Sequence, residues 1–187
     1  MEIELKFSAD RKTALEILPE NYKVISMDAI YYDSLDNTLS KSHTAFRLRS
    51  ENGNKVLTIK YRIPEERKNA VISGDEAVSC EGLYKRGEIN IDLPENFVLN
   101  SKELVPTVRT KFERIEAEIE YDGITAVVSY DEGEISALEK TAPISELEIE
   151  LKEGSEEKLR EFAQKIAEEY ELKPILKSKL ARGRELL

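Results

Sequence analysis

The sequence has few of the residues that characterise several classes of enzyme and secreted protein. Its 187 residues include no tryptophan, one cysteine and one histidine. With Cys80 as the single cysteine, no disulfide can form within the chain, as is typical of proteins in a reducing cytoplasm. Neither Cys80 nor His43, which we expect in a turn, has the partner pattern of a nucleophilic cysteine site or a Ser–His–Asp triad. Nucleophilic catalysis by these residues is therefore not expected.

The sequence also lacks a long apolar run and an excess of basic residues. No apolar stretch approaches the roughly 18–20 residues of a membrane span, and strand-like alternation from Glu2 onward leaves no room for a signal peptide. The 38 acidic residues outnumber the 28 basic ones, which gives a formal net charge of −10. Nucleic-acid binders and proteins that dock on anionic membranes usually carry a basic excess. We therefore expect a cytoplasmic protein that binds neither nucleic acid nor membrane.

Charged residues make up 35% of the chain and alternate with isoleucine, valine and leucine over long stretches. Alternation with a period of two residues predicts β-strands. The predicted strands are 2–7, 24–33, 46–51, 55–62, 84–93, 108–121, 124–131, 134–138 and 144–152. Asn52-Gly53 and Asp122-Gly123, which lie between such segments, predict hairpin turns.

Helices are predicted at fewer places. Asp10 and Ser155 are residues of the type that caps a helix N-terminus. The predicted helices are 10–18, 98–104, 155–170 and 177–187. The polar stretch 64–81 is predicted to be a loop or an insertion. Because no internal repeat or low-complexity tract divides the chain, we expect a single domain over residues 1–187.

Charged side chains share one face of several predicted strands. Residues two apart on a strand point to the same side, so Glu2, Glu4 and Lys6 form one row. Further rows are Arg47 with Arg49, Lys60 with Arg62, and the alternate residues of 114–120 and of 146–152. For any single row, a solvated outer face is the simpler interpretation. The collective pattern favours a different one.

A sheet of about eight such strands tends to close into a barrel, because closure removes the exposed edges. If helices cover the apolar faces, the charged faces line the interior. The sequence therefore predicts an α+β fold, a closed eight-stranded antiparallel β-barrel that forms a tunnel, with helices packed outside.

Charges inside such a tunnel are costly unless they have partners. Arginine and lysine rows bind phosphate oxygens well, and carboxylate rows bind hard divalent cations. A polyphosphate that carries Mg²⁺ or Mn²⁺ would satisfy both kinds of row. The pattern thus indicates a phosphate- and metal-binding interior.

Several motifs follow one another along almost the whole chain. They are Glu2-x-Glu4-x-Lys6, Tyr31-Tyr32-Asp33, Arg47-x-Arg49, Lys60 at the end of 57–60, Gly82 with Arg86 and Glu88, Arg114, Asp131-x-Gly133-x-Ile135, the acidic strand 146–151, and Ser178-Lys179 with Arg182-Gly183. In this combination and order the chain resembles the CYTH superfamily, the triphosphate tunnel metalloenzymes. That family includes class IV adenylyl cyclases, thiamine triphosphatases and inorganic triphosphatases.

The resemblance implies roles for the matching residues. The implied ligands of a divalent ion, Mg²⁺ or Mn²⁺, are Glu2, Glu4, Asp131, Glu148 and Glu150. The implied ligands of the triphosphate are Lys6, Arg47, Arg49, Lys60, Arg114, Lys179 and Arg182. Lys6, Glu4 and Glu148 are the implied catalytic residues, whereas capping of the last helix is an alternative role for Arg182.

The resemblance also implies an activity. We expect a metal-dependent phosphohydrolase that acts on a small triphosphate, with inorganic tripolyphosphate favoured because the C-terminal motif is similar to that of bacterial triphosphatases. The alternatives are a class IV adenylyl cyclase, a thiamine triphosphatase and a non-catalytic module that binds polyphosphate or nucleotide. Members of the family are often dimers, so a homodimer is compatible with the resemblance.

Two positions depart from the family pattern, and one strand has an ambiguous phase. Asn90 stands where many members have a second acidic residue, and Val127 where bacterial triphosphatases often have a glutamate. On the strand that contains Arg114, Arg109 and Lys111 are alternatives for the inward position, because a β-bulge would change the phase.

Overall fold

The computed structural model describes residues 1–63, 71–73, 76–78 and 83–187. Most of the predicted insertion 64–81, together with Cys80 and Gly82, lies outside the described residues. The elements in chain order are β1 (Glu2–Ser8), α1 (Arg11–Ile17), β2 (Lys23–Ser34), α2 (Thr38–Lys41), β3 (Thr44–Glu51), β4 (Asn54–Tyr61), β5 (Val71–Ser73), β6 (Glu76–Val78), β7 (Leu83–Leu93), β8 (Leu104–Tyr121), β9 (Ile124–Ala137), β10 (Lys140–Glu153), α3 (Glu156–Glu169), β11 (Lys173–Pro174) and α4 (Lys179–Arg184).

Eight of these strands form a closed antiparallel barrel. The hydrogen-bonded order is β1-β10-β9-β8-β2-β3-β4-β7, and β7 pairs with β1 to close the ring. β11 pairs with β1, and β6 and β5 extend the sheet beyond β7. The predicted closed eight-stranded antiparallel barrel is confirmed.

The larger apolar core lies outside the barrel wall. Residues of β1, β8, β9 and β10 that alternate with the charged rows pack under α1 and α3, which supply Ala14, Leu159, Phe162 and Ile166 among others. The predicted caps are present, since the Asp10 carboxylate accepts a hydrogen bond from the Thr13 amide (2.8 Å) and the Ser155 hydroxyl accepts one from the Lys158 amide (3.2 Å). Both helices are therefore amphipathic covers over one side of the barrel.

The last helix, α4, has a different position from α1 and α3. Its Leu180 belongs to a second apolar cluster with Val108, Ile135 and Ile144. These strand residues have the same parity as the charged rows and so face the barrel interior. A side chain at Gly183 would collide with Val108, which shows how closely α4 approaches the wall. α4 therefore lies over the inner face at one end of the barrel.

Two predictions of local structure are wrong. Residues 98–104 form no helix, because the Ser101 hydroxyl accepts hydrogen bonds from the amides of Glu103 (3.2 Å) and Leu104 (3.1 Å), and β8 already begins at Leu104. The predicted strands 124–131 and 134–138 are one continuous strand, β9.

The continuity of β9 depends on Gly133. A side chain there would collide with the backbone of Lys111 and Phe112 on β8. Glycine therefore permits the close approach of two paired strands rather than a turn. None of the helices in the described ranges combines the length and apolar composition of a membrane-spanning segment.

Candidate active site

The barrel encloses a cavity of about 290 Å³ with a highly charged lining. Among the residues that the structure describes, eight basic and seven acidic side chains line it. The basic ones are Lys6, Arg47, Arg49, Lys60, Arg86, Arg114, Lys152 and Lys179, and the acidic ones are Glu2, Glu4, Glu51, Glu88, Glu116, Glu148 and Glu150. Although the whole chain has a net charge of −10, the basic and acidic side chains of the cavity are nearly equal in number. The cavity can therefore bind both anions and cations.

Arg47 and Arg49 form what we call the basic wall, on β3. The Arg47 guanidinium donates a hydrogen bond to the Thr58 hydroxyl (3.2 Å) and lies 5.9 Å from the centre of the Tyr31 ring. Arg49 forms an ion pair with Glu51. Burial, and then repulsion from Arg47, lowers the pKa of Arg49 to about 10. The two arginines therefore have few internal anionic partners.

Glu2, Glu4, Glu148 and Glu150 form what we call the acidic wall, on the adjacent strands β1 and β10. In the ring of eight strands, β10 lies four strands from β3, so the two walls face each other across the cavity. Glu4 is the direct cross-strand partner of Glu150. Carboxylates directly opposite each other repel unless a cation lies between or beside them. The register itself thus creates a demand for positive charge.

Glu2 obtains its positive charge from β4 and β7. Its carboxylate accepts hydrogen bonds from Lys60 Nζ at 2.9 and 3.0 Å and from Arg86. Burial alone would raise the pKa of Glu2, but the charges of Arg86 and Lys60 hold it well below its ordinary value. Glu2 is therefore ionised and firmly held.

Glu4 is in a different electrostatic environment. Burial, together with repulsion from Glu2, raises the pKa of Glu4 to about 7. Lys6 Nζ lies 3.2 Å from Glu4 Oε1 and 3.0 Å from Glu148 Oε1, and Arg86 Nη2 donates to Glu4 Oε1 at 2.6 Å. Glu4 is thus the carboxylate of the acidic wall that can exchange a proton near neutral pH.

A second cluster of carboxylates lies beside the acidic wall. Among the described residues, Asp131, Glu146 and Glu148 form a group that brings one ligand atom each within 4.8 Å of the others. Lys179 Nζ contacts all three carboxylates, at 2.6 Å from Asp131 and 2.9 Å from Glu148. The Lys179 ammonium from α4 therefore already supplies a cation to this cluster.

Arg114 is held by the same cluster. Its guanidinium binds both oxygens of Asp131, at 2.6 and 2.7 Å, and Glu148 at 2.6 Å. Burial alone would lower the pKa of Arg114, but the charges of Asp131 and Glu148 hold it well above its ordinary value. For Glu148, burial is likewise outweighed by Lys179, Lys6 and Arg114, and its pKa lies well below the ordinary range.

The structure shows which basic side chains of β8 point into the barrel. Arg114 points into the cavity, whereas Arg109 lies outside, is 52% exposed and pairs with Asp28 at 2.6 Å. Lys111 is exposed as well. The bulge in β8 lies opposite Tyr31 and Tyr32 of β2. It precedes Arg109, Lys111 and Arg114 in the chain, so it does not change which of these three side chains points inward.

Most residues with predicted site roles lie around this one cavity. Asp131 and Arg182 are the exceptions, since they lie behind its lining, where Arg182 binds Glu146 and Asp131 binds Arg114. Asn90 and Val127, the departures from the family pattern, both line the cavity.

Several residues that the structure brings into the site were not predicted from the sequence. Glu146 was part of a charged row, but nothing in the sequence showed that it meets Lys179 and Arg182. Thr58 lies on β4, and no sequence motif marked it as a site residue. Only the strand register shows that it contacts Arg47.

The acidic wall has the type of donor atom that a divalent cation needs, and a bound ion would replace contacts that Lys6, Lys60 and Arg86 make with it in the free protein. Four carboxylates of the acidic wall line one cavity, two of them directly opposite each other. Carboxylate oxygens are the donors that Mg²⁺ and Mn²⁺ prefer. The Asp131–Glu146–Glu148 group fits an internal ammonium instead, because Lys179 is in contact with each of its members.

Comparisons with known proteins agree with this geometry. The model of the CYTH domain matches residues 1–183. An inorganic triphosphatase from Haemophilus influenzae is 29% identical, over 97% of this chain and 54% of the relative, so the chain spans about half the length of that curated relative.

Two solved structures have a similar fold. HpAC1 from Hippeastrum, described as having a dominant triphosphatase activity, has a TM-score of 0.67 at 16% identity, over 99% of this chain and 96% of that one. PH1819 from Pyrococcus horikoshii OT3 has a TM-score of 0.61 at 19% identity, and 100% of both chains is covered. At these identities the likeness shows a common fold.

Proposed function

The chain belongs to the CYTH domain family, and from that premise we propose that it is a divalent-metal-dependent phosphohydrolase of small triphosphates, with inorganic tripolyphosphate as the favoured substrate. One observation carries the proposal: a basic wall faces an acidic wall across a cavity of about 290 Å³. A metal-bound triphosphate has the complementary charges. The inorganic triphosphatase of Haemophilus influenzae supports the choice of substrate.

In this proposal the basic wall holds the phosphate oxygens. Arg47 and Arg49 have buried Nε–H groups without partners among the described residues, and these donors suit an oxyanion. Lys6, Lys60, Arg114 and Lys179 add charge from other strands and from α4.

Glu2, Glu4, Glu148 and Glu150 would hold the ion, either Mg²⁺ or Mn²⁺. When bound, the ion would neutralise phosphate charge and lower the pKa of a water molecule. Asp131, predicted to bind the metal, and Arg182, predicted to bind the triphosphate, do not line the cavity and have partners within the protein. Asp131 binds Arg114 and Lys179, and we propose that it orients these cations. Arg182 binds Glu146 and joins α4 to β10.

The chain's own residues supply the remaining chemistry. The substrate lies along the basic wall, and the attacking water lies beside the acidic wall. Glu4, one of the carboxylates beside that water, would accept a proton from it as the new oxygen–phosphorus bond forms. Lys6, held between Glu4 and Glu148, donates hydrogen bonds to the phosphoryl oxygens as the bridging bond breaks. The products are phosphate and pyrophosphate.

A phosphate-release assay with tripolyphosphate, ATP and thiamine triphosphate tests the proposal in Mg²⁺, Mn²⁺ and EDTA. We expect metal-dependent release from tripolyphosphate, which Glu4→Gln should abolish and Arg49→Ala should reduce about 100-fold. Arg109→Ala, which removes a guanidinium from the outer face of the barrel, is the matched control and should retain activity.

The same assay separates the alternatives. Cyclic AMP from ATP would identify a class IV cyclase, and preferential cleavage of thiamine triphosphate a thiamine triphosphatase. Tight binding without turnover of any substrate would contradict an enzyme and indicate a binding module. A cytoplasmic location and a homodimer complete the proposal as predictions from the sequence.

A further inference from the structure

One interior row of the barrel connects four side chains on four neighbouring strands. Tyr31 of β2 pairs with Arg47 of β3, Arg47 pairs with Thr58 of β4, and Thr58 pairs with Asn90 of β7. Direct cross-strand neighbours on one face are close enough for their side chains to interact. The register thus places Thr58 between the guanidinium of Arg47 and the amide of Asn90.

The hydrogen bonds along this row have a defined direction. The Thr58 hydroxyl donates its single proton to Asn90 Oδ1 at 2.8 Å, so it presents a lone pair to Arg47 Nη2 at 3.2 Å. Asn90 Nδ2 then donates to Glu88 Oε1 at 3.1 Å. Thr58 is fully buried, so water does not compete for its hydroxyl. Each member of the chain orients the next.

In the neighbouring row of the same strands, no hydroxyl stands beside the arginine. Arg49 pairs across strands with Val56, which in turn pairs with Asp92. Val56 has no hydroxyl, and the Arg49 guanidinium binds Glu51 on its own strand instead. The two arginines of one motif therefore differ in the side chain that stands beside them.

We infer that Thr58 and Asn90 are positioning residues, which hold Arg47 in the orientation that binds a phosphate group of the substrate. The identity of the ligand rests on the proposed function, whereas the orientation of Arg47 does not. Asn90 suits this role as an amide, because it accepts from Thr58 and donates to Glu88. A carboxylate at this position would also accept from Thr58, but it would repel Glu88 and attract a cation.

Substitution of Thr58 tests the hydroxyl. Thr58→Val keeps the shape and removes the donor and acceptor, and Thr58→Ser restores them. The matched control is Thr110→Val, because Thr110 is a buried threonine of the same cavity whose cross-strand neighbours, Ala29 and Ile135, are apolar. The dissociation constant of tripolyphosphate is measured by calorimetry in EDTA.

We expect Thr58→Val to bind tripolyphosphate about tenfold more weakly, which corresponds to the loss of one hydrogen bond to a charged group. Thr58→Ser and Thr110→Val should bind like the wild type. With metal, the value of KM should rise more than kcat falls. Equal affinity of Thr58→Val and the wild type would overturn the inference, as would equal losses in Thr58→Val and Thr110→Val.

Substitution of Asn90 tests the amide. Asn90→Asp should bind tripolyphosphate about tenfold more weakly than the wild type in EDTA, and this deficit relative to the wild type should shrink when Mn²⁺ replaces EDTA, because the cation neutralises the introduced carboxylate and that of Glu88 together. Asn90→Ala should be weaker than the wild type by the same factor in EDTA and in Mn²⁺. Wild-type affinity of Asn90→Ala in EDTA would contradict a positioning role.

A spectroscopic measurement separates this inference from the proposed function. The ¹⁵N side-chain signals of Arg47, assigned by comparison with Arg47→Lys, should broaden or shift in Thr58→Val and recover in Thr58→Ser, with no ligand present. If the wild type cleaves no triphosphate, the proposed function fails, while these signals still decide the positioning. If the wild type is active and the signals of Thr58→Val are unchanged, the positioning alone is wrong. Thermal unfolding of each variant verifies that it is folded.

Discussion

The charges of the acidic wall and those of the basic wall are neutralised in different ways. Glu2, Glu4 and Glu148 are each at most 8% exposed and contact lysine or arginine side chains within the barrel. Arg47 and Arg49 are only half-buried, and each has a buried Nε–H without a partner in the described part of the chain. Side chains of the protein itself therefore neutralise most of the acidic wall, whereas the basic wall has hydrogen-bond donors that a ligand can use.

This difference separates stability from binding. A buried charge that loses its partner is strongly destabilising, while a charge whose partner is supplied by a ligand adds little to the stability of the free protein. We therefore expect substitutions in and behind the acidic wall to affect folding, and substitutions in the basic wall to affect activity.

The largest effect should follow loss of Asp131, which is completely buried. Asp131→Asn leaves Arg114 and Lys179 with an uncharged partner, and we expect it to lower the free energy of unfolding by about 3–5 kcal/mol. Urea unfolding in EDTA measures this. A loss of activity with unchanged stability would contradict the distinction between the walls.

Next in size is the pH dependence contributed by Glu4. Its pKa is about 7 in the folded protein against an ordinary value of 4.5, so between these values the folded state holds a proton that the unfolded state has released. Its contribution to stability is therefore present below about pH 4.5 and is lost as the pH rises to 7. In Glu4→Gln this contribution is absent. Between pH 5 and pH 8 the free energy of unfolding of the variant should rise relative to that of the wild type by on the order of 3 kcal/mol. Urea unfolding in EDTA measures this difference. A constant difference would show that Glu4 has an ordinary pKa.

On the basic wall, Arg49→Ala should reduce kcat/KM for tripolyphosphate about 100-fold, equivalent to about 2.7 kcal/mol, because one charged donor to the phosphates is lost. The free energy of unfolding should not decrease, since burial and Arg47 both disfavour the Arg49 charge in the free protein. Kinetics and urea unfolding of the same preparation decide between binding and structure.

The smallest effect is expected outside the barrel. Arg109 and Asp28 form an ion pair at 2.6 Å, as close as those of the acidic wall, but Arg109 is 52% exposed. Arg109→Ala should therefore change stability by less than about 1 kcal/mol and leave kcat/KM unchanged. A loss comparable with that of Asp131→Asn would show that burial does not distinguish the two kinds of ion pair.

The strand pattern made much of the barrel predictable. The rows at Glu2–Lys6, Arg47–Arg49 and 146–150 alternate with apolar residues, and a period of two assigns each set to one face. The helices after Asp10 and Ser155 were predictable for a similar local reason, since their caps lie within three residues of the amides that they bind. The helix expected over 98–104 was wrong because the Ser101 hydroxyl binds the amides of Glu103 and Leu104, and because Leu104 pairs with Ser34 of β2, a contact that is not local in the sequence.

The sequence by itself determined which side chains share a face, because that depends only on the alternation of a single strand. The tertiary structure alone decided which faces meet. It placed Arg114 rather than Arg109 inside, brought Lys179 of α4 among three carboxylates, and set Asn90 beside Thr58. These contacts depend on register and closure, in which residues more than 30 positions apart become neighbours, as Asn90 and Thr58 do. The electrostatic state of the cavity arises from those contacts, since burial and the distance to the nearest opposite charge set each pKa.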